Sequence, residues 1–308
     1  MRKALVGYTG FVGSNICAGE KFEGLYNSRN IGEAYGTNPD LLVYAGLRAE
    51  KYLANHEPDK DLELIRQAEE NILKINPKKL VLISTVDVLK NPAGTDENTE
   101  IDAEGLNAYG ANRYVLEQFA RKQYPEALII RLPGLFGKNI KKNFIYDYMT
   151  RIPFMLTEAK IEELAKKDAE LKQFYKLQDN GFYKVKELKI DEKEILKEKF
   201  NVLGFSALNF TDSRSVYQFY PLSRLWKDIN VALEQDIRLF HPATEPISAG
   251  ELYQYLTGET FENELSGKPV YYDFRTIHDR IYGGENGYIC SKEEVMDEIR
   301  KFVTAYGK

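Results

Sequence analysis

The sequence is poor in the residues that build metal centres and disulfide frameworks. It has two cysteines and three histidines among 308 residues. Cys17 and Cys290 stand far apart, and His56, His241 and His278 are dispersed, so no metal-type ligand spacing is present. Two lone thiols fit a reducing compartment and predict a cytoplasmic protein. No apolar run approaches the length that spans a bilayer. The opening run Met1-Arg2-Lys3-Ala4-Leu5-Val6-Gly7 lacks the apolar middle region of a signal peptide. Positive charge is not in excess either. The net charge of −5 argues against nonspecific binding of nucleic acid. No internal repeat or low-complexity tract is evident. The composition that remains, 43% hydrophobic and 29% charged, is ordinary for a globular chain with a sizeable core.

The first feature present in strength is a glycine pattern. Gly7, Gly10 and Gly13 stand three apart in Ala4-Leu-Val-Gly-Tyr-Thr-Gly-Phe-Val-Gly-Ser14, behind a short apolar strand and ahead of a helix start. A strand, a tight turn and a helix N-terminus in that order make an anion site. Backbone N–H groups must approach a diphosphate closely, which a Cβ would obstruct. The pattern therefore predicts a bound dinucleotide. Downstream, short apolar runs alternate with helical patterns. Residues 41–46, 80–84 and 127–132 read as buried strands, while 58–75 and 109–124 read as helices. Such alternation implies βαβ units and a parallel sheet. The linker 30–40 is short, so one helix–strand unit is expected to be abbreviated or missing. Residues 158–174, rich in Lys and Glu, predict one charged surface helix. The second half is expected to form a smaller, less regular domain.

Ser84-Thr85 ends a buried strand, and Tyr109 opens the helix that reads Tyr109-Gly-Ala-Asn-Arg-Tyr-Val-Leu-Glu117. In a doubly wound sheet, ligands sit beyond the carboxyl ends of the strands. A strand-end hydroxyl and a helix-start phenol are thus expected to meet over a bound cofactor. Taken with the glycine loop, these residues resemble the extended short-chain dehydrogenase/reductase family, which comprises sugar-nucleotide epimerases, dehydratases and reductases. Further segments carry the likeness. They are Ile83-Ser-Thr-Val-Asp-Val88, Arg131-Leu-Pro-Gly-Leu-Phe-Gly137, Arg214-Ser-Val-Tyr-Gln-Phe-Tyr-Pro-Leu-Ser-Arg224 and Leu239 through Leu252.

The resemblance implies an α/β fold, a Rossmann-type doubly wound parallel sheet with a smaller C-terminal α+β substrate domain. Its domains would be 1–137 for the dinucleotide and mainly 138–308 for the substrate, with about 210–245 returning to the sheet. It implies cofactor contacts from Gly7, Thr9, Gly10, Phe11, Val12, Gly13, Asn27, Arg29, Ala45, Gly46, Tyr109, Arg113 and Pro133. It places Thr85, Tyr109 and Arg113 in catalysis, and Asp87, Asn143 and Arg214 on the substrate, a nucleotide-linked sugar. It also implies a homodimer through helices such as 58–75 and 109–124. Plain structural readings stand beside these: Thr85 or Asp87 as turn residues, Tyr109 as a packing residue, Arg214 as a surface ion-pair partner.

Three departures sharpen the expectation. Arg113 stands where the family has a lysine, and a guanidinium supplies charge but does not readily release a proton. This departure, together with that at Tyr220-Pro221, also supports an alternative, a catalytically weak cofactor-binding regulator or sensor. Val86-Asp87 replaces the Asp-Glu of the dehydratases, which leaves epimerisation or reduction. Tyr220-Pro221 stands where Asp-Asp is usual. The segment Gly24-Leu-Tyr-Asn-Ser-Arg-Asn30 has no acid to hold a ribose 2′-hydroxyl, while Arg29 suits a 2′-phosphate. NADP is favoured over NAD.

Overall fold

The computed structural model describes residues 1–306. The chain divides into two compact units. The first comprises residues 1–140, 216–247 and 271–299; the second comprises 141–215, 248–270 and the C-terminal residues from 300.

The first unit is built on a parallel sheet. Its strands are β1 (Lys3–Val6), β2 (Gly24–Tyr26), β3 (Leu41–Tyr44), β4 (Lys79–Thr85) and β5 (Leu128–Leu132), with a short strand Leu239–Phe240 on the edge. The order across the sheet is the edge strand, β5, β4, β3, β1, β2, and neighbouring strands run parallel. The chain leaves β1 toward β2 and then returns to the other side of β1 as β3. That reversal opens a crevice at the carboxyl ends, the place where this architecture binds ligands.

Helices follow the strands: α1 (Phe11–Gly19), α2 (Lys51–His56), α3 (Pro58–Ile75) and α4 (Ala108–Gln123). Between β2 and β3 there is only a 3-10 turn, Ile31–Ala34, which is the abbreviated unit expected from the short linker. α3 starts with Pro58 in its first turn beside Asp59 and Asp61, and it ends where Asn76 turns left-handed at φ 53°. Its buried stripe Ile65, Ala68, Ile72 and Ile75 packs with Leu116 and Ala120 of α4 over alternate strand residues Ala4, Val6, Leu42, Tyr44, Leu80 and Leu82. Each fully buried isoleucine contributes about 1.5–3 kcal/mol. Leu5, Val43 and Val81, which point to the opposite face, are fully buried as well. Burial on both faces is why these strands read as continuous apolar runs. Among the described residues no helix is long and apolar enough to cross a membrane.

The second unit has its own core of Ile152, Leu156, Ile161, Leu164, Leu171, Phe174, Tyr175, Leu196 and Phe200. An antiparallel sheet of Met155–Thr157, Phe182–Val185 and Tyr175–Leu177 lies against it. The single helix expected over 158–174 is divided. An α-helix covers Glu158–Ala165, and a 3-10 turn covers Ala169–Phe174. The break falls at Asp168, whose carboxylate accepts the Glu170 N–H and starts the second turn, burying Leu171 and Phe174.

Candidate active site

The glycine turn links β1 to α1. Gly7 has φ +92°, a conformation that side chains rarely adopt, and its N–H donates to the Tyr26 carbonyl at 2.7 Å. A Cβ on Gly7 would lie 2.3 Å from the Ala45 carbonyl oxygen, and one on Gly13 would lie 2.2 Å from the Gly7 carbonyl oxygen. Gly10 caps α1 with extended backbone and no side-chain hydrogen bond, so the first N–H groups of α1 are not capped by a side chain. Thr9 and Gly10 are exposed, and Phe11 and Val12 are half-buried at the helix start. Ala45 and Gly46 close the wall at the end of β3, where the Ala45 N–H donates to Val6. This cradle fits a dinucleotide diphosphate: it is narrow, lined by backbone and placed at a helix N-terminus. Gly13→Ala is expected to displace the turn, with a cost of about 1–3 kcal/mol in stability and loss of cofactor binding measured by isothermal titration. Wild-type affinity in that variant would mean that the turn does not hold the ligand.

At the end of β2 the Asn27 carboxamide oxygen accepts the Arg29 N–H at 2.9 Å, and the Asn27 N–H donates to Asn30 Oδ1 at 2.8 Å. Asn27 therefore shapes the turn. Arg29 is exposed, and its guanidinium makes no ion pair with the described residues. Pro133 sits between β5 and the short strand Gly134–Phe136, which pairs in parallel with Phe219–Pro221.

The end of β4 separates two adjacent hydroxyls. Strand alternation turns Ser84 into the core, where it donates to Glu117, and turns Thr85 outward. The Thr85 hydroxyl donates to Asp87 Oδ2 at 2.9 Å and accepts the Asp87 N–H at 3.2 Å, capping a 3-10 turn. α4 begins directly on that turn. Asn107 caps it, and Gly110 packs so tightly that a Cβ would lie 2.1 Å from the Asp87 carbonyl oxygen. The Asn55 side chain of α2 accepts the Tyr109 N–H at 3.1 Å. Tyr109 is thereby held beside Asp87.

Tyr109 is 6% exposed, yet its phenol oxygen makes no hydrogen bond to the described residues. Two cations flank its ring: the Arg113 guanidinium 4.0 Å and the Lys51 ammonium 5.8 Å from the centroid. Burial raises the phenol above its usual pKa; Arg113 and Lys51 oppose the rise, and the carboxylates of Asp87 and Asp61 support it. Tyr109 is accordingly protonated at neutral pH.

Arg113 lies one helical turn after Tyr109 on α4, against its ring. It is 5% exposed, ion-paired with Asp61, and it donates through Nη2 to the Arg48 carbonyl at 2.8 Å. Its donors face α3 and the loop before α2. Asp61 is a charge on the apolar stripe of α3, four residues before Ile65, and that misplaced charge was a signal in the sequence. Lys51 pairs with Asp87 Oδ1 at 2.6 Å, and the Tyr272 phenol lies beside that pair. Neither Lys51 nor Tyr272 belongs to any local motif.

The two candidate residues of the second unit are engaged within it. Asn143, at φ 103°, caps the helix Phe144–Thr150 through bonds from the Ile145 and Tyr146 N–H groups. Arg214 is held by Asp212 at 2.7 Å and by Glu264 at 2.9 Å, and this guanidinium keeps the Asp212 carboxyl well below the usual range.

No family model and no curated protein matches the chain. Solved structures do match over nearly its whole length. A dTDP-4-dehydrorhamnose reductase from Bacillus anthracis, in complex with NADP, has TM-score 0.62 at 17% identity, covering 97% of this chain and 96% of its own. A UDP-N-acetylglucosamine 4-epimerase from Methanobrevibacter ruminantium, in complex with UDP-N-acetylmuramic acid, has TM-score 0.64 at 12% identity, covering 99% and 97%. The Bordetella bronchiseptica enzyme WbmG, in complex with NAD and UDP, has TM-score 0.64 at 12% identity, covering 100% and 95%. The chain has the Rossmann-type α/β fold of these reductases and epimerases, as the sequence resemblance implied.

Proposed function

We propose that this protein is an NADP-dependent reductase of a carbonyl on a nucleotide-linked sugar, built on the fold it shares with such reductases and epimerases. The observation that carries the reading is the Tyr109 phenol: its ring is packed away, while its protonated hydroxyl has no hydrogen-bond partner among the described residues and reaches the surface beyond the carboxyl end of β4. A buried phenol usually finds a partner within its own protein. One left unpaired at the carboxyl ends of a Rossmann-type sheet is available to a substrate oxygen. The raised pKa suits donation of a proton more than abstraction, which favours reduction.

A nicotinamide cofactor held in this cradle would supply hydride for the carbonyl carbon. Tyr109 donates its proton to the carbonyl oxygen, and Thr85 turns its hydroxyl from Asp87 to the same oxygen and orients it. Gly7, Gly10 and Gly13 hold the diphosphate. Arg29, unpaired and exposed after β2, takes the 2′-phosphate by charge-assisted hydrogen bonds. Such bonds contribute about 1.5–3 kcal/mol, or roughly 10- to 100-fold in affinity. Arg29→Ala is therefore expected to weaken NADPH binding by that factor and leave NADH unchanged in a fluorescence titration at fixed salt. Equal losses for the two cofactors would remove the 2′-phosphate assignment. The reaction itself is tested by incubating the protein with NADPH and a panel of nucleotide-linked ketosugars. Absence of NADPH oxidation across dTDP-, UDP- and GDP-linked substrates would count against it.

A further inference from the structure

Tyr109 is 6% exposed, and once cofactor and substrate cover its hydroxyl, a phenol that gives a proton away in every turnover must regain one through the protein. Arg113 stacks on its ring but does not readily release a proton, and its donors are committed to Asp61 and the Arg48 carbonyl. Lys51, though paired with Asp87, can release a proton. Its side chain is 51% exposed, so it exchanges with solvent, and its ammonium lies 5.8 Å from the Tyr109 ring centroid. It is the first residue of α2, and the same short helix supplies Asn55 to the Tyr109 N–H. One segment thus positions both the phenol and the lysine. Asp87, between the Thr85 hydroxyl and Lys51, accepts from both and holds the ammonium in place.

We infer that Lys51, and not Arg113, is the cation that serves Tyr109, holding it poised for proton transfer and returning its proton from water. The inference rests on the reading of Tyr109 as proton donor. In the step, the Tyr109 O–H bond breaks as its proton passes to the substrate oxygen, leaving a phenolate. The Lys51 ammonium then returns a proton to that phenolate and becomes a neutral amine. Water reprotonates the amine, while Asp87 stays ionised throughout. The charged and titratable groups around Tyr109 are Lys51, Arg113, Asp87 and Asp61, and Tyr272 faces the Lys51–Asp87 pair. Arg113 is the positioning residue of the set, clamping α4 to α3 and supporting the ring.

The test uses the full chain with fluorotyrosine in place of tyrosine, read by fluorine NMR without cofactor. The Tyr109 resonance is assigned by its loss in Tyr109→Phe. In Lys51→Met the Tyr109 phenol should titrate about one pH unit or more higher than in the parent, the size of shift a neighbouring opposite charge produces. Turnover should fall about 100-fold and recover partly with added methylamine, the range over which a positioned proton carrier acts. Lys51→Arg should restore the titration but not the turnover, because a guanidinium keeps the charge and withholds the proton. An unchanged Tyr109 titration and an unchanged kcat–pH profile in Lys51→Met would overturn the inference and leave the Tyr109 reading intact. Full activity in Tyr109→Phe would instead overturn the reading on which it rests.

Discussion

Glu117→Ala is expected to destabilise the first unit by about 3–5 kcal/mol, the cost of leaving one charge of a buried pair alone. Glu117 is fully buried on α4, and Arg131 of β5 is 1% exposed. Arg131 donates from Nε to both Glu117 oxygens at 3.1 and 3.2 Å, and from Nη2 to Oε2 at 2.7 Å. The Ser84 hydroxyl donates to Glu117 Oε1 at 2.6 Å, so the carboxylate joins α4, β4 and β5. Arg131 Nη1 reaches His241 Nε2 at 3.3 Å. A guanidinium only donates, so Nε2 accepts, and the His241 proton sits on Nδ1, facing the Arg275 carbonyl at 3.2 Å.

Removing Glu117 leaves the Arg131 charge without its partner in the core. The urea midpoint by circular dichroism should fall accordingly, and a loss below 1 kcal/mol would refute the account. Glu117→Leu combined with Arg131→Met should recover much of the loss, because a pair of apolar residues removes both desolvated charges. The network also carries a pH signature. Burial, and then the Arg131 charge, lower the His241 pKa from 6.5 to about 3. The unfolded chain binds this proton below pH 6.5, whereas the folded chain does not until about pH 3. Stability is therefore full above pH 6.5 and is lost progressively as pH falls, by about 2 kcal/mol at pH 5.

Tyr109→Phe is expected to lower kcat about 10²- to 10⁴-fold, the range supplied by a positioned acid. Cofactor affinity and stability should change little. The reason is specific to this phenol. Its oxygen makes no hydrogen bond to the described residues, so deleting it leaves no orphaned partner. The ring keeps its place under Arg113, and the Asn55 and Gly110 contacts belong to the backbone. Single-turnover measurement of NADPH oxidation separates the chemical step from product release. A loss of less than tenfold would mean that the proton comes from another group. The contrast between the two variants is informative: Glu117 is needed for the fold and lies in the core, whereas Tyr109 is dispensable to the fold and open to a ligand.

Much of this molecule was legible in local pattern. Gly7 and Gly13 stand where a Cβ would strike the backbone, and a constraint of that kind is written into a few adjacent residues. The continuous apolar runs of β3, β4 and β5 reflect burial on both faces, and the stripe of α3 follows the helical period. Thr85 at a strand end and Tyr109 at a helix start were found the same way, since their elements are local. The partners of those side chains were not. Arg113 is bound by a residue 52 positions away, and Lys51 reaches Asp87 across 36. Arg131 meets His241 across 110. No periodicity encodes such meetings, because they depend on where separate crossovers lay their chain. Local pattern was enough for the strands of the sheet and for the glycine turn. Which cation stands half-exposed beside the phenol, and which is spent on a buried carboxylate, was decided only when α2, α3 and α4 came together.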